Sequence, residues 1–166
     1  VLLPETAAQP VPLARLAEEL PVDVRFIERM PVGAANDSAA QSLHTETIDL
    51  LRAVWPDLHP VSEPRGNGPA RYYASAKLHG CIGLIEAVSH AFCASCNRVR
   101  LTSTGLLKPC LCYEQGTDLK PLLRGGADNA ALRDAIGQAV RDKPAAHCFA
   151  QQDAVTEHKS MNQIGG

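Results

Sequence analysis

At 166 residues, 45% hydrophobic and 20% charged, the chain has an ordinary globular composition with enough apolar side chains for a sizeable core. A formal net charge of −2 and a sequence pI near 6.3 exclude a broad basic surface for nucleic acid or anionic membrane, so any phosphate recognition must be local and its ligand small. No apolar run approaches membrane-spanning length, and the opening V-L-L-P-E-T-A-A-Q-P lacks the basic start and continuous apolar core of a signal peptide, which predicts a cytoplasmic protein.

In chain order, residues 13–20 predict a helix, Pro21 ends it, and V-D-V-R-F-I over 22–27 predicts a strand. A helix feeding directly into a strand is part of a βαβ unit, so the expected fold class is α/β, or α+β for an isolated fragment. With no earlier strand to pair with, the segment reads as the carboxyl-terminal part of a larger α/β protein. The loop M-P-V-G-A-A-N-D-S leads to an amphipathic helix with Thr45 as its expected N-cap and Pro56 and Pro60 closing it. After a Gly- and Pro-broken loop, strands are expected over 71–74 and 81–87, both leading into a cysteine-rich hairpin. Beyond the hairpin, residues 119–123 predict a short helix, and Asp128 caps a helix running to about Arg141 with Leu132, Ile136, Ala139 and Val140 on one face. No internal repeat is present.

The hairpin carries the chemistry. In F-C-A-S-C-N-R-V-R-L-T-S-T-G-L-L-K-P-C, the strand-like V-R-L and L-L-K flank the turn residues Ser103, Thr104 and Gly105, which folds Cys110 back beside Cys96 and Asn97 and gathers it with Cys93. Three thiols without an evident fourth ligand describe an open metal site, whereas structural zinc takes a closed tetrahedral set. Cys112 and His90 are outside candidates for the fourth position. The C-x2-C pair with a distant third cysteine also suits an iron–sulfur cluster whose remaining iron is open to a substrate atom. Arg98 and Arg100, two residues apart, would project together from a strand, and paired guanidiniums beside an open metal site suit a phosphate-bearing ligand. Six cysteines in a chain this apolar have no need to be disulfide staples; Cys81 and Cys148 read as small core residues. The terminal K-S-M-N-Q-I-G-G combines apolar anchors, Met161 and Ile164, with two glycines able to enter a narrow space.

The segments F-I-E-R-M-P-V-G, G-P-A-R-Y-Y, C-x2-C-N-R-V-R-L-T with its later P-C-L, K-P-A-A-H-C-F and the final I-G-G together resemble the GTP 3′,8-cyclase family of molybdenum cofactor biosynthesis, from about Val22 to the end. The resemblance implies radical S-adenosylmethionine chemistry: a 5′-deoxyadenosyl radical takes hydrogen from ribose C3′ of GTP, and the carbon radical closes on guanine C8 to give 3′,8-cyclo-7,8-dihydro-GTP. It implies two four-iron four-sulfur clusters, of which this chain would hold one through Cys93, Cys96 and Cys110, leaving one iron for the substrate base. By the same resemblance Arg98, Val99, Arg100 and Arg25 contact GTP, Met30 lines the S-adenosylmethionine pocket, and Gly165 and Gly166, with Arg98 and Arg100, belong to the catalytic set. The implied architecture is the end of an incomplete TIM-like (β/α) barrel over 1–56, then a β-rich iron–sulfur and GTP-binding extension over 57–166. An electron donor and a homodimer are the further partners implied.

The C-x3-C-x2-C spacing that a radical S-adenosylmethionine enzyme needs for its first cluster is absent from these 166 residues, so this chain alone is expected to be inactive. Two other classes compete. A structural zinc module would close its site with Cys93, Cys96, Cys110 and Cys112. A thiol redox protein would use C-x2-C alone, but that motif belongs at a helix start, and here N-R-V-R-L follows.

Overall fold

Alternation in V-R-F-I puts Phe26 inside and Arg25 outside, and strand β1 (Val24–Ile27) forms there in a computed structural model that describes residues 1–2, 6, 8–33, 43–63, 65–149, 151 and 154–164. The chain divides into two compact units, Val1–Arg29 with Ser38–Phe92, and Met30–Asp37 with Cys93–Gly166.

In the first unit the helix expected over 13–20 is two short ones, α1 (Pro10–Ala14) and α2 (Leu16–Glu19). Pro10 starts the first, where a missing N–H costs nothing. Helix α3 (Leu43–Val54) begins two residues before Thr45, so Thr45 lies inside it and is not its N-cap. It stops ahead of Trp55-Pro56, as the crowding before a proline requires. Pro60 does not close that helix but lies in β2 (His59–Val61), an edge strand where an absent N–H is tolerated.

Strands β3 (Arg71–Ala74) and β4 (Ile82–Ile85) complete a four-stranded sheet of order β1-β4-β3-β2. β1 and β4 run parallel, with Arg25 level with Gly83, and the other two pairings are antiparallel. The fold is therefore mixed α/β. Its core is Ala14, Phe26, Leu51, Trp55, Tyr73, Ile82 and Leu84 with their neighbours. Fully buried Trp55 keeps its polar atom satisfied by donating from Nε1 to Glu18 Oε1 at 2.8 Å.

The second unit holds a three-stranded antiparallel sheet of β5 (Arg100–Leu101), β6 (Leu106–Lys108) and β7 (Thr117–Asp118), in that order. Helices α4 (Lys120–Arg124) and α5 (Asn129–Arg141) follow. Asp128 caps α5 as expected, its carboxylate accepting from Ala131 N–H at 2.8 Å. The buried face of α5 is rotated from the expected one: Ala135 and Ala139 pack on Leu107 and Leu119, while Ile136 and Val140 are exposed. Small alanines let the helix lie close on β6, and bulk there would hold it off. Among the described residues no helix is long and apolar enough to cross a membrane.

Candidate metal centre

The hairpin forms for local reasons. Thr102 N–H donates to Leu106 O at 3.0 Å and Gly105 N–H to Thr102 O at 3.0 Å, closing a three-residue loop. Gly105 takes φ of +90°, the left-handed position that such a loop demands. The Thr102 hydroxyl accepts from Leu106 N–H at 3.1 Å and pins the turn from inside. The register pairs Arg100 with Lys108 and Leu101 with Leu107. That pairing does not extend to Cys110. The ladder stops at Arg100, so Arg98 and Val99 precede the strand.

Cys93 opens a 3₁₀ turn, Cys93–Ser95, and Cys96 N–H closes it by donating to Cys93 O at 3.1 Å. A turn of this kind brings two cysteines separated by two residues round to one side. Cys93, Cys96 and Cys110 are all half-buried and free. Two of the sulfurs receive hydrogen bonds from one loop: His147 N–H donates to Cys93 Sγ at 3.3 Å, and the Lys143 ammonium donates to Cys96 Sγ at 3.3 Å. Donors of this kind, aimed at the sulfur of a metal ligand, hold that ligand in orientation. By donor type, three free cysteines, two of them with such outer contacts, suit a cysteine-ligated group. Among the described residues no three His, Cys, Asp or Glu side chains are gathered tightly enough to hold a single metal ion.

The outside candidates have other partners. Cys112 is fully buried with its sulfur 2.8 Å from that of Cys148, whose N–H donates to Cys112 Sγ at 3.2 Å. Burial first, and then the Cys148 contact, push the Cys112 thiol far up, so it is held neutral. A closed set of Cys93, Cys96, Cys110 and Cys112 is therefore not assembled. Cys148 is, as expected, a small core residue, and so is Cys81, whose thiol is also pushed up by burial. His90 Nδ1 lies 2.8 Å from Glu86 Oε1.

In the first unit, Arg25 lies flat over Tyr72, its guanidinium carbon 5.5 Å from the ring centroid. Gly83 between them makes this possible, since a Cβ there would meet Tyr72 Cε1 at 3.0 Å and Arg25 Cγ at 3.1 Å. In the second unit Met30 begins a turn closed by Val32 N–H on Met30 O at 2.9 Å. Gly33 follows at φ +61°, so close that a Cβ would stand 2.8 Å from Lys159 O. The expected placement of Gly165 and Gly166 lies outside the described residues, but the segment before them is firmly held. Ile164 is completely buried, and Ser160 with Gln163 forms a capping box around the Met161–Gln163 turn.

Four residues at these sites were assigned no chemical role in the sequence reading. Lys143 and His147 lie in the K-P-A-A-H segment, which entered the sequence reading as part of the family resemblance but without a contact assigned to either residue. Lys108 and Glu157 form an ion pair with each side chain 1% exposed, joining residues too distant in sequence for any motif to reveal.

The family model described as Molybdenum Cofactor Synthesis C matches residues 22–149. A protein of Desulforamulus reducens named GTP 3′,8-cyclase is 42% identical over 155 residues, covering 92% of this chain and 47% of its own length. Another of that name from Pelotomaculum thermopropionicum is 38% identical over 158 residues, 94% of this chain and 48% of its own. GTP 3′,8-cyclase 2 of Mycobacterium bovis is 38% identical over 173 residues, covering 100% of this chain and 48% of its own length. The chain thus spans about half the length of the curated relatives it matches. With the C-x2-C turn, the arginine-bearing hairpin and the Lys143–His147 loop all inside the matched residues, the chain belongs to the Molybdenum Cofactor Synthesis C family.

Proposed function

We propose that this chain is the GTP-holding, carboxyl-terminal half of a GTP 3′,8-cyclase, acting in the step that converts GTP to 3′,8-cyclo-7,8-dihydro-GTP for molybdenum cofactor biosynthesis. The relatives' name supplies the reaction. The observation that carries the reading is the pair of sulfurs, Cys93 and Cys96, each met by an N–H donor, with Arg98 and Arg100 two and four residues after Cys96. Cys93, Cys96 and Cys110 would hold a four-iron four-sulfur cluster, which when bound supplies one open iron for a ring atom of the base. The mixed sheet, with β1 at its edge and parallel to β4, is what the end of an incomplete (β/α) barrel would contribute.

Within that reading the chain's own work is binding and orientation. Arg98 and Arg100 hold the triphosphate oxygens by planar, charge-assisted hydrogen bonds, Val99 lies between them, and Arg25 offers a further guanidinium already ordered by Tyr72. Met30 lines the S-adenosylmethionine side, and the buried Ile164 anchors the tail so that Gly165 and Gly166 reach the substrate. A radical reaction rewards this, because a target carbon held in near-attack geometry competes best with side reactions. The absent C-x3-C-x2-C spacing means that this chain alone binds substrate without turning it over. An electron donor and a second copy of the chain are the partners the full reaction would draw on.

Anaerobic reconstitution with iron and sulfide, metal counting and a GTP titration followed on the visible spectrum test the reading. A brown protein whose spectrum shifts with GTP, and loses the shift but not the iron in Arg98→Ala/Arg100→Ala, is expected. A colourless, zinc-loaded protein indifferent to GTP overturns it.

A further inference from the structure

Lys143 is positioned by the fold of the second unit. Packing of Ala135 and Ala139 on Leu107 and Leu119 sets α5 beside the hairpin. The helix ends at Arg141 with Asp142 as its C-cap, Lys143 N–H still donates to Val140 O at 3.3 Å, and Pro144 stops any continuation. A lysine at this place ordinarily turns back to the last helical carbonyls. This one reaches away. Its ammonium donates to Cys96 O at 2.9 Å, Cys96 Sγ at 3.3 Å and Arg98 O at 2.6 Å. An ammonium has three donors, and these three acceptors use them all, leaving none for a phosphate. Four residues on, His147 N–H reaches the other sulfur of the pair, Cys93 Sγ, at 3.3 Å.

We propose that Lys143 is a positioning residue for the metal centre: it clamps the turn from Cys96 to Arg98 against the end of α5 and offsets the negative charge of the Cys96 thiolate. This rests on the reading of Cys93, Cys96 and Cys110 as cluster ligands. A cluster bound through thiolates gains negative charge on reduction, so a cation donating to one of those sulfurs favours the reduced form and holds the ligand in place. The same contact joins the two chemistries of the site, because the carbonyl it holds belongs to Arg98.

The test is made on the reconstituted protein with Lys143→Met, Lys143→Arg and, as a control, Lys77→Met on the exposed surface of the first unit. Iron retention against a chelator and the midpoint potential are read. In Lys143→Met, iron retention falls by about 10–100-fold, the range for loss of a residue supporting a metal ligand. The reduction equilibrium moves about tenfold toward the oxidised form, which for one electron lowers the midpoint by about 59 mV. Lys143→Arg recovers the potential, because the charge remains, and Lys77→Met changes neither quantity. Should Lys143→Met fail to fold, Lys143→Gln, which keeps a polar end without charge, gives the same readings. Iron retention and a reduction equilibrium each within twofold of wild type overturn the role of Lys143 while leaving the cluster reading standing. A wild-type protein that takes up no iron overturns both.

Discussion

Replacing Glu157 by Leu should be among the most damaging single changes in the chain, through charge rather than volume. Lys108 and Glu157 are each 1% exposed. The Lys108 ammonium also donates to Tyr113 O at 2.7 Å and Glu114 O at 3.4 Å, while the other Glu157 oxygen accepts from Lys159 N–H at 2.8 Å. Removing the carboxylate strands a buried ammonium, which costs about 3–5 kcal/mol. In a 166-residue chain each kcal/mol lowers the melting temperature by about 2–4 °C, so a fall of roughly 6–20 °C follows. Lys108→Met should cost a similar amount. The double variant strands no charge, so its loss should fall short of the sum of the singles by about 2 kcal/mol, within the usual range for coupled neighbours. Urea unfolding followed by circular dichroism measures the cycle. Hydrogen exchange at Thr156 and Glu157, whose N–H groups donate to Cys112 O at 3.1 and 3.3 Å, reports release of the tail directly. Losses that add to within about 0.5 kcal/mol would refute the coupling.

Acid should release the same tail. Burial raises the Glu157 pKa, but the Lys108 hydrogen bond, the Lys159 N–H and both lysine charges outweigh it, leaving the pKa below the ordinary glutamate value. A carboxyl depressed in the folded state contributes stability above its unfolded pKa and loses it as pH falls through the folded one, so protection at Thr156 and Glu157 should persist through pH 5 to 7 and fail only below the usual glutamate range. Gly83→Val should displace Arg25 from Tyr72, costing about 1–3 kcal/mol in a denaturant melt and weakening GTP binding with cluster iron unchanged; an unaltered affinity would remove Arg25 from the substrate site. In unloaded protein, Cys112 and Cys148 should alkylate on the order of tenfold more slowly than Cys93, Cys96 and Cys110, measured by mass spectrometry of each peptide, because both are buried and the Cys112 thiol is held neutral.

Local rules made much of the second unit legible. A turn sequence with glycine in its left-handed position, an aspartate before an alanine-rich run and a proline after it each specify their structure within a few residues, and hairpin, cap and helix end all lie where those rules put them. Where local patterns left choices, packing made them. The four apolar residues expected to share the buried face of α5 lost two of their number to solvent, because β6 accepts alanine at that distance and leaves Ile136 and Val140 outside. Thr45 was a reasonable cap by residue type, yet α3 starts earlier. Cys112 was only an outside candidate for a fourth ligand, and its sulfur is taken by Cys148, thirty-six residues on, a contact without sequence periodicity.

The same distinction explains why the supporting residues' contacts were not legible in the sequence while the ligands were. A metal ligand is constrained by chemistry to few residue types at few spacings, so C-x2-C announces itself in one dimension. A residue that orients a ligand is constrained only by where its donor arrives. Lys143 reaches Cys96 because Ala139 sits on Leu107, because Gly105 closes the hairpin that carries Leu107, and because Pro144 turns the chain after α5. Each of these contributes to placing one ammonium at three acceptors, and none lies in the cysteine motif. The second unit is thus built so that its small core and its candidate metal centre share one helix, and a substitution that shifts α5 on β6 acts on the sulfur of Cys96 without touching it.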